Sequence, residues 1–180
     1  MTRFLPLDIY LQGKPLNRPF GDFRFGETPW FTGRQLLAWA EVGPEDVFYD
    51  LGCGRGKMVF LAALDRGCRA VGIELLPGYV RIARKIAARL RLSRVRFERQ
   101  DFSDVNLAEA SVVFVAGSIF SPTTRTLLED LLEQLSPGAQ WLSVSWPTRH
   151  PALELVGQRE FLFSWGRERV FRYRVRSDEG

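Results

Sequence analysis

The stretch Asp50-Leu51-Gly52-Cys53-Gly54-Arg55-Gly56-Lys57 constrains this chain more than any other. It completes a short apolar run, Val47-Phe48-Tyr49-Asp50-Leu51, that reads as a buried strand. It opens a helical pattern that starts at Lys57. Three glycines in alternation let the backbone turn sharply and come close to a ligand. The helix N-terminus behind them supplies unpaired N–H groups. In open α/β sheets, ligands sit beyond the carboxyl ends of the strands, where strand order reverses.

The rest of the chain keeps the same rhythm. Phe31 to Glu41 is helical in pattern, with Leu36, Leu37 and Ala40 on one face, and Gly43-Pro44 ends it. Lys57 to Arg66 is expected as a helix with Val59, Phe60, Ala63 and Leu64 inward, stopped by Gly67. Ala70 to Glu74 is a second strand. Pro77 opens a helix to Arg91 whose inward face is Tyr79, Ile82, Ala83, Ile86, Ala87 and Leu90. Val95 and Phe97 mark strand three, and Ser111 to Ala116 strand four. Ser121-Pro122 is an N-cap followed by proline at the first helical position. Leu127, Leu128, Leu131, Leu132 and Leu135 then share a face, and Trp141 to Ser145 is strand five. Phe161, Phe163 and Trp165, then Phe171, Tyr173 and Val175, alternate about Gly166 as a terminal hairpin. Strands separated by helices imply a parallel sheet with right-handed crossovers, and the hairpin adds an antiparallel strand.

Composition excludes several classes. Apolar residues make up 46% and charged residues 26% of 180 residues, the mixture of an ordinary globular domain. No stretch approaches the roughly 18 apolar residues of a membrane span. The opening Met1-Thr2-Arg3-Phe4 has no signal-peptide character, so the cytoplasm is the expected compartment. Two cysteines and one histidine are too few for a disulfide framework or a zinc site, and no metal is expected. Cys53 reads as a small buried filler. Residues 1–30, rich in proline, glycine and aromatics, read as an irregular arm, and residues 31–180 as the one folded domain.

The glycine spacing is G-x-G-x-G, preceded at two residues by an acid; it is neither the G-x-G-x-x-G dinucleotide fingerprint nor a phosphate-binding G-x-x-x-x-G-K-[ST] loop. Glu74 ends the second strand, where an acid can accept from both hydroxyls of a ribose. Asp101-Phe102 follows the third, where an acid can accept from an exocyclic amine while a ring covers an adenine face. Each feature has a plainer reading: a structural turn, a capping Asp50, a solvated Glu74, an Asx-turn at Asp101.

Together, Asp50 to Gly56, Gly72-Ile73-Glu74 and Gln100-Asp101-Phe102 resemble the class I, seven-stranded methyltransferases that use S-adenosylmethionine, over residues 28–175. The resemblance implies a Rossmann-like α/β fold, a mostly parallel sheet in the order 3-2-1-4-5-7-6 with strand seven antiparallel. It implies that Asp50, Gly52 and Gly54 hold the methionyl end and Glu74 the ribose. Leu75 packs on adenine, Asp101 and Phe102 meet its edge, and Ala116 lies near the methionyl group.

A narrower resemblance rests on Thr28-Pro29-Trp30 and on Phe114-Val115-Ala116-Gly117-Ser118-Ile119-Phe120. These look like the protein-lysine methyltransferases without a SET domain, in which the segment before the first strand, here Thr28, also joins the cofactor pocket. The chain departs from the histone-directed member by having Ala116-Gly117-Ser118 in place of asparagines. It also lacks an Asn/Asp-Pro-Pro-aromatic tetrapeptide, so methylation of DNA-base or glutamine amino groups is not indicated. The acceptor implied is a protein lysine, with a small molecule or RNA as the enzyme alternative and a non-catalytic cofactor-binding module as the other.

Trp30 and Phe120 are candidate walls of the acceptor channel, with core or lid packing as the plainer reading. Phe31 and Trp146 also stand at element ends facing the expected cofactor. Arginines and a lysine from Arg81 to Arg99 crowd the third helix and third strand, and Arg172, Arg174 and Arg176 line the last strand. Such clusters bind phosphate backbones, or form a solvated helix face and a charged sheet edge that discourages aggregation.

Overall fold

A computed structural model describes residues 26–117 and 120–177. Most of the arm expected over residues 1–30 lies outside the described residues, as do Ser118 and Ile119. The described strands are β1 Val47–Leu51, β2 Arg69–Glu74, β3 Val95–Arg99, β4 Val112–Val115, β5 Gln140–Val144, β6 Leu153–Phe163 and β7 Gly166–Val175. The helices are α1 Trp30–Trp39, α2 Lys57–Leu61, α3 Pro77–Arg89 and α4 Pro122–Asp130. The seven strands form one sheet in the order β3-β2-β1-β4-β5-β7-β6. β1 to β5 pair in parallel, and β7 runs antiparallel between β5 and β6. The expected Rossmann-like topology is the one observed.

β1 is buried along its whole length. Its side chains alternate between two cores because successive Cβ atoms point to opposite faces. Phe48 joins Leu36, Val59 and Val80 from α1, α2 and α3 on one face. Tyr49 and Leu51 join Val113, Leu128 and Trp141 on the other. β2 lies on one side of β1 and β4 on the other, so the chain order reverses at β1. The crevice this creates opens at the carboxyl ends of β1 and β4, above the glycine turn.

Several expectations are corrected. The helix from Lys57 is α-helical only to Leu61 and continues as a π-turn over Ala62–Arg66. The wider turn shifts the phase of the residues within and beyond it. Leu64 therefore faces solvent at 61% exposure, while Met58, Leu61 and Ala62 are buried instead. In α3, Ile86 and Leu90 are exposed, and Val80 takes a core position the spacing did not assign. α4 stops at Asp130, and Leu131 and Leu132 enter the core from a 3₁₀ turn. Ser121 caps α4 as expected, its hydroxyl accepting from Thr124 N.

The last strand is not a charged edge. β6 is the edge, and β7 lies inside the sheet. Arg172 is buried, donating to Gln140 Oε1 at 2.7 Å, to Glu41 Oε2 at 2.7 Å and to the Trp39 carbonyl. It ties β7 and β5 to the end of α1, a structural use of an arginine that strand periodicity does not reveal.

Two glycines separate backbone strain from crowding. A Cβ on Gly56, at φ +81°, would lie 2.3 Å from the Phe97 ring; one on Gly138, at φ +86°, would meet nothing within 4 Å. Gly138→Ala should cost about 1–2 kcal/mol for the left-handed backbone alone. Gly56→Ala should cost about 1–3 kcal/mol more for overpacking. Urea denaturation of both variants checks this, and equal losses would contradict the crowding.

Candidate active site

The glycine turn is stapled to β2. Gly52 N and Cys53 N both donate to the Ile73 carbonyl, at 2.9 and 3.0 Å. Gly54 N donates to Glu74 Oε2 at 2.9 Å, and Leu76 N to Glu74 Oε1 at 2.8 Å. Gly52, Gly54 and Gly56 all have positive φ, which a Cβ disfavours. The turn and the acid that ends β2 are thus one unit. Cys53 is buried beside Gly72, and burial pushes its thiol well above the usual range, as suits a filler and not a nucleophile.

Asp50 ends up buried at the carboxyl end of β1. Burial, and after it the charge of Glu74, pushes its carboxyl up to about 8. Burial also raises Glu74, although the N–H groups of Leu76, Gly54 and Leu75 oppose it. Two acids side by side, both raised by burial, make a site that gains from an approaching cation. A carboxylate has roughly four acceptor positions. Gly54 N and Leu76 N take one position on each oxygen of Glu74, and even with Leu75 N beside them the carboxylate retains acceptor capacity.

The aromatic candidates separate. Phe120 packs edge-on against Phe102, with ring centroids 5.6 Å apart. Both rings stand over Gly52: a Cβ there would lie 3.3 Å from Phe120 Cζ and 3.9 Å from Phe102 Cζ. Trp30 is half exposed at the start of α1, with Lys57 Nζ 5.6 Å from its ring centroid. Phe31 is more exposed still. Trp146 is buried, its ring 5.5 Å from the Arg125 guanidinium, and so is a core residue. Thr28 is buried, while Leu75 and Ala116 are half-buried. Asp101 caps the 3₁₀ turn Phe102–Asp104, accepting from Ser103 N at 3.2 Å. The Asx-turn reading of Asp101 is therefore realised, and its carboxylate is not joined to the Asp50–Glu74 pair in any described hydrogen bond.

One residue escaped the sequence. Glu27 accepts from Arg55 Nε at 2.9 Å and from Lys57 Nζ at 2.8 Å. Burial pushes the Glu27 carboxyl up, but the Lys57 and Arg55 bonds outweigh it and hold it low. Next to it, Gly26 lies flat against Trp165. The segment before α1 is thereby clamped between the terminal hairpin and the glycine turn. The contacts span nearly thirty residues, so no local spacing announces them; the only signal was an acid beside Thr28-Pro29-Trp30.

A family profile described as the ANTKMT methyltransferase domain matches residues 50–152, from Asp50 through β5. The chain belongs to this family. A protein-lysine N-methyltransferase from Saccharolobus islandicus is 31% identical over 124 residues, covering 68% of this chain and 76% of that protein. A histone-lysine N-methyltransferase, H3 lysine-79 specific, from Cryptococcus neoformans is 28% identical over 135 residues. That match covers 67% of this chain and 21% of the longer relative. The structure of an RNA methyltransferase from Salinibacter ruber in complex with S-adenosyl-L-homocysteine superimposes with a TM-score of 0.72 at 31% identity, covering 86% of this chain and 96% of that one. The family member described here is an S-adenosylmethionine-dependent methyltransferase. The residues present fit that cofactor: glycine backbone that allows close approach, a Glu74 carboxylate with acceptor capacity to spare, and the buried acid Asp50 beside them. Among the described residues, no helix is long and apolar enough to cross a membrane.

The Asp50 shift has a sign. Its folded value is raised, so the stability it contributes is complete below about pH 4 and is lost as pH rises towards about 8. Within that window wild type should lose about 1.4 kcal/mol per pH unit relative to Asp50→Asn. Denaturant titrations of both proteins from pH 4.5 to 7.5 check the slope; parallel curves would contradict the buried neutral acid.

Proposed function

We propose that this enzyme methylates a lysine side-chain amine of a protein, with S-adenosylmethionine held between the glycine turn and Glu74. The observation that carries the cofactor assignment is the hydrogen bond from Gly54 N to the Glu74 carboxylate, which puts both beside the buried Asp50. In this reading Gly52 and Gly54 admit the methionyl end, and Asp50 faces its ammonium. Glu74 accepts from the ribose, Leu75 and Phe102 cover adenine, and Asp101 meets its edge from the end of β3. Thr28, buried before α1, and Ala116, leaving β4, line the methionyl side.

The bound cofactor supplies an electrophilic methyl group on a sulfonium. The chain's own residues have to place the acceptor and keep water out. Placement alone is worth about 7–11 kcal/mol when the nucleophile is held near attack geometry. Phe120, resting on Phe102 above Gly52, is in position to wall that approach. Trp30, already against a lysine ammonium at Lys57 Nζ, offers a face that steers an amine by cation–π attraction, worth about 0.5–2 kcal/mol. The archaeal protein-lysine relative, matched over most of its length, supports the lysine. The RNA methyltransferase structure, matched over almost all of its chain, supports RNA as the second reading.

Calorimetry with S-adenosylmethionine should show binding that Asp50→Ala and Glu74→Ala each weaken at least about tenfold, a loss of about 1.4 kcal/mol. A cation against Asp50 lowers its proton affinity, so binding near pH 7 should release a proton, visible as a heat that varies with buffer. Unchanged affinity in both variants would defeat the assignment. For the acceptor, labelled cofactor and cell lysate are incubated with the enzyme and then treated with protease or nuclease. Label lost to protease supports a protein acceptor, with methyl-lysine in its acid hydrolysate supporting lysine; label lost only to nuclease supports RNA; tight cofactor binding with no label supports the non-catalytic module.

A further inference from the structure

The charge of this protein is concentrated in one place. Residues 77–100 carry seven arginines and one lysine with a single acid, Glu98, a net of +7 in a chain whose net charge is +4. Everything outside that segment is therefore net −3. The segment is α3, its exit turn and β3, the free edge strand of the sheet on this side.

A groove runs between the C-terminal half of α3 and β3. Its walls are Ala87, Leu92, Val95 and Phe97, its cations include Arg84 and Arg91, and no acidic residue lines it. Past Ser93 and Arg96, a second hollow at the amino ends of β1 and β2 carries Arg69 and Arg94 but also the acids Glu45 and Glu109. The cations differ in what they already do. Arg69 and Arg96 are held by Glu109, at 3.2 and 3.1 Å. Arg84 donates Nε to the Phe97 carbonyl at 2.8 Å, its one described hydrogen bond, which fixes its guanidinium beside β3.

Arg91 carries the decisive feature. It follows the cap of α3 with φ +52°, a left-handed backbone where a chain ordinarily uses glycine or asparagine. The fold tolerates a strained arginine at a position where glycine would be relaxed. Strain of this kind clusters where a side chain has a task.

We propose that this groove binds the phosphate backbone of a single-stranded nucleic acid, with Arg84 and Arg91 as its main anchors. Guanidinium forks match phosphate oxygens bidentately, and the apolar floor between them accepts sugar edges. A uniform polyanion, charged at every residue, suits a segment with cations on nearly every helical turn. A second copy of this chain would oppose cation to cation. The groove opens at the amino ends of the strands, about 17 Å from their carboxyl ends for five residues. It is therefore a docking site separate from the methyl-transfer crevice, and it stands whether the methylated group is a lysine or a base.

The test is fluorescence anisotropy with a short labelled single-stranded RNA of mixed sequence, at several salt concentrations. Wild type should bind with log affinity falling linearly with log salt, by about 0.7 for each phosphate contact. Arg91→Gly should reduce that slope by about 0.7 and weaken binding several-fold, while its melting temperature stays level or rises. Arg91→Lys should retain most of the binding. Calorimetry should give both variants the cofactor affinity of wild type, which separates this site from the cofactor crevice. No salt-dependent binding, or binding by Arg91→Gly equal to wild type, would overturn the proposal. So would equal affinity for polyglutamate or for phosphatidylserine vesicles, which would assign the face to an acidic protein or a membrane.

Discussion

The structure depends on the bond between the Gly54 amide and the Glu74 carboxylate. It joins the turn leaving β1 to the end of β2 across the crevice where ligands of open α/β sheets bind. Ile73, one residue earlier, holds the amides of Gly52 and Cys53. A turn fixed at three amides presents its backbone to a ligand without further ordering, and ordering already done is not charged against binding. Burial raises the Asp50 carboxyl, and the Glu74 charge that this bond holds in place adds to the rise.

Around this unit the fold supplies walls from opposite sides. Phe102, after β3, and Phe120, after β4, meet over Gly52. Glu27 brings the segment before α1 onto Arg55 and Lys57, with Trp30 beside them. None of these contacts is local in sequence. They arise because the segments leaving β3 and β4 meet over the turn at the end of β1, and because Arg172 and Thr32 bind α1 to the terminal hairpin.

The strand positions, the glycine turn and the place of Glu74 at the end of β2 were legible because each rests on a short-range rule: apolar runs bounded by glycine, acids at strand ends, a proline after an N-cap; the order of the strands in the sheet came from the family resemblance. The illegible parts depended on phase or on distance. Leu64 reads as inward on an uninterrupted α-helix and faces out because the π-turn intervenes. Arg172 reads as surface charge by alternation and is buried because α1 and β5 present it with a carboxylate, an amide and a carbonyl. Asp101 satisfied two readings at once, and its cap to Ser103 could not be separated from a ligand role by sequence. Glu27 had no periodic pattern, because its partners Arg55 and Lys57 lie 28 and 30 residues away. The basic segment was visible as composition, but the backbone strain at Arg91 is not written in any periodicity.

The most direct measurement of the cofactor crevice is a backbone amide NMR titration with S-adenosylhomocysteine. The largest shifts should fall on Gly52, Gly54, Glu74 and Leu75, spreading to Thr28 and Phe102. Shifts confined to the amino ends of the strands, or a glycine turn that does not respond while the ligand binds, would contradict a ligand seated between the turn and Glu74.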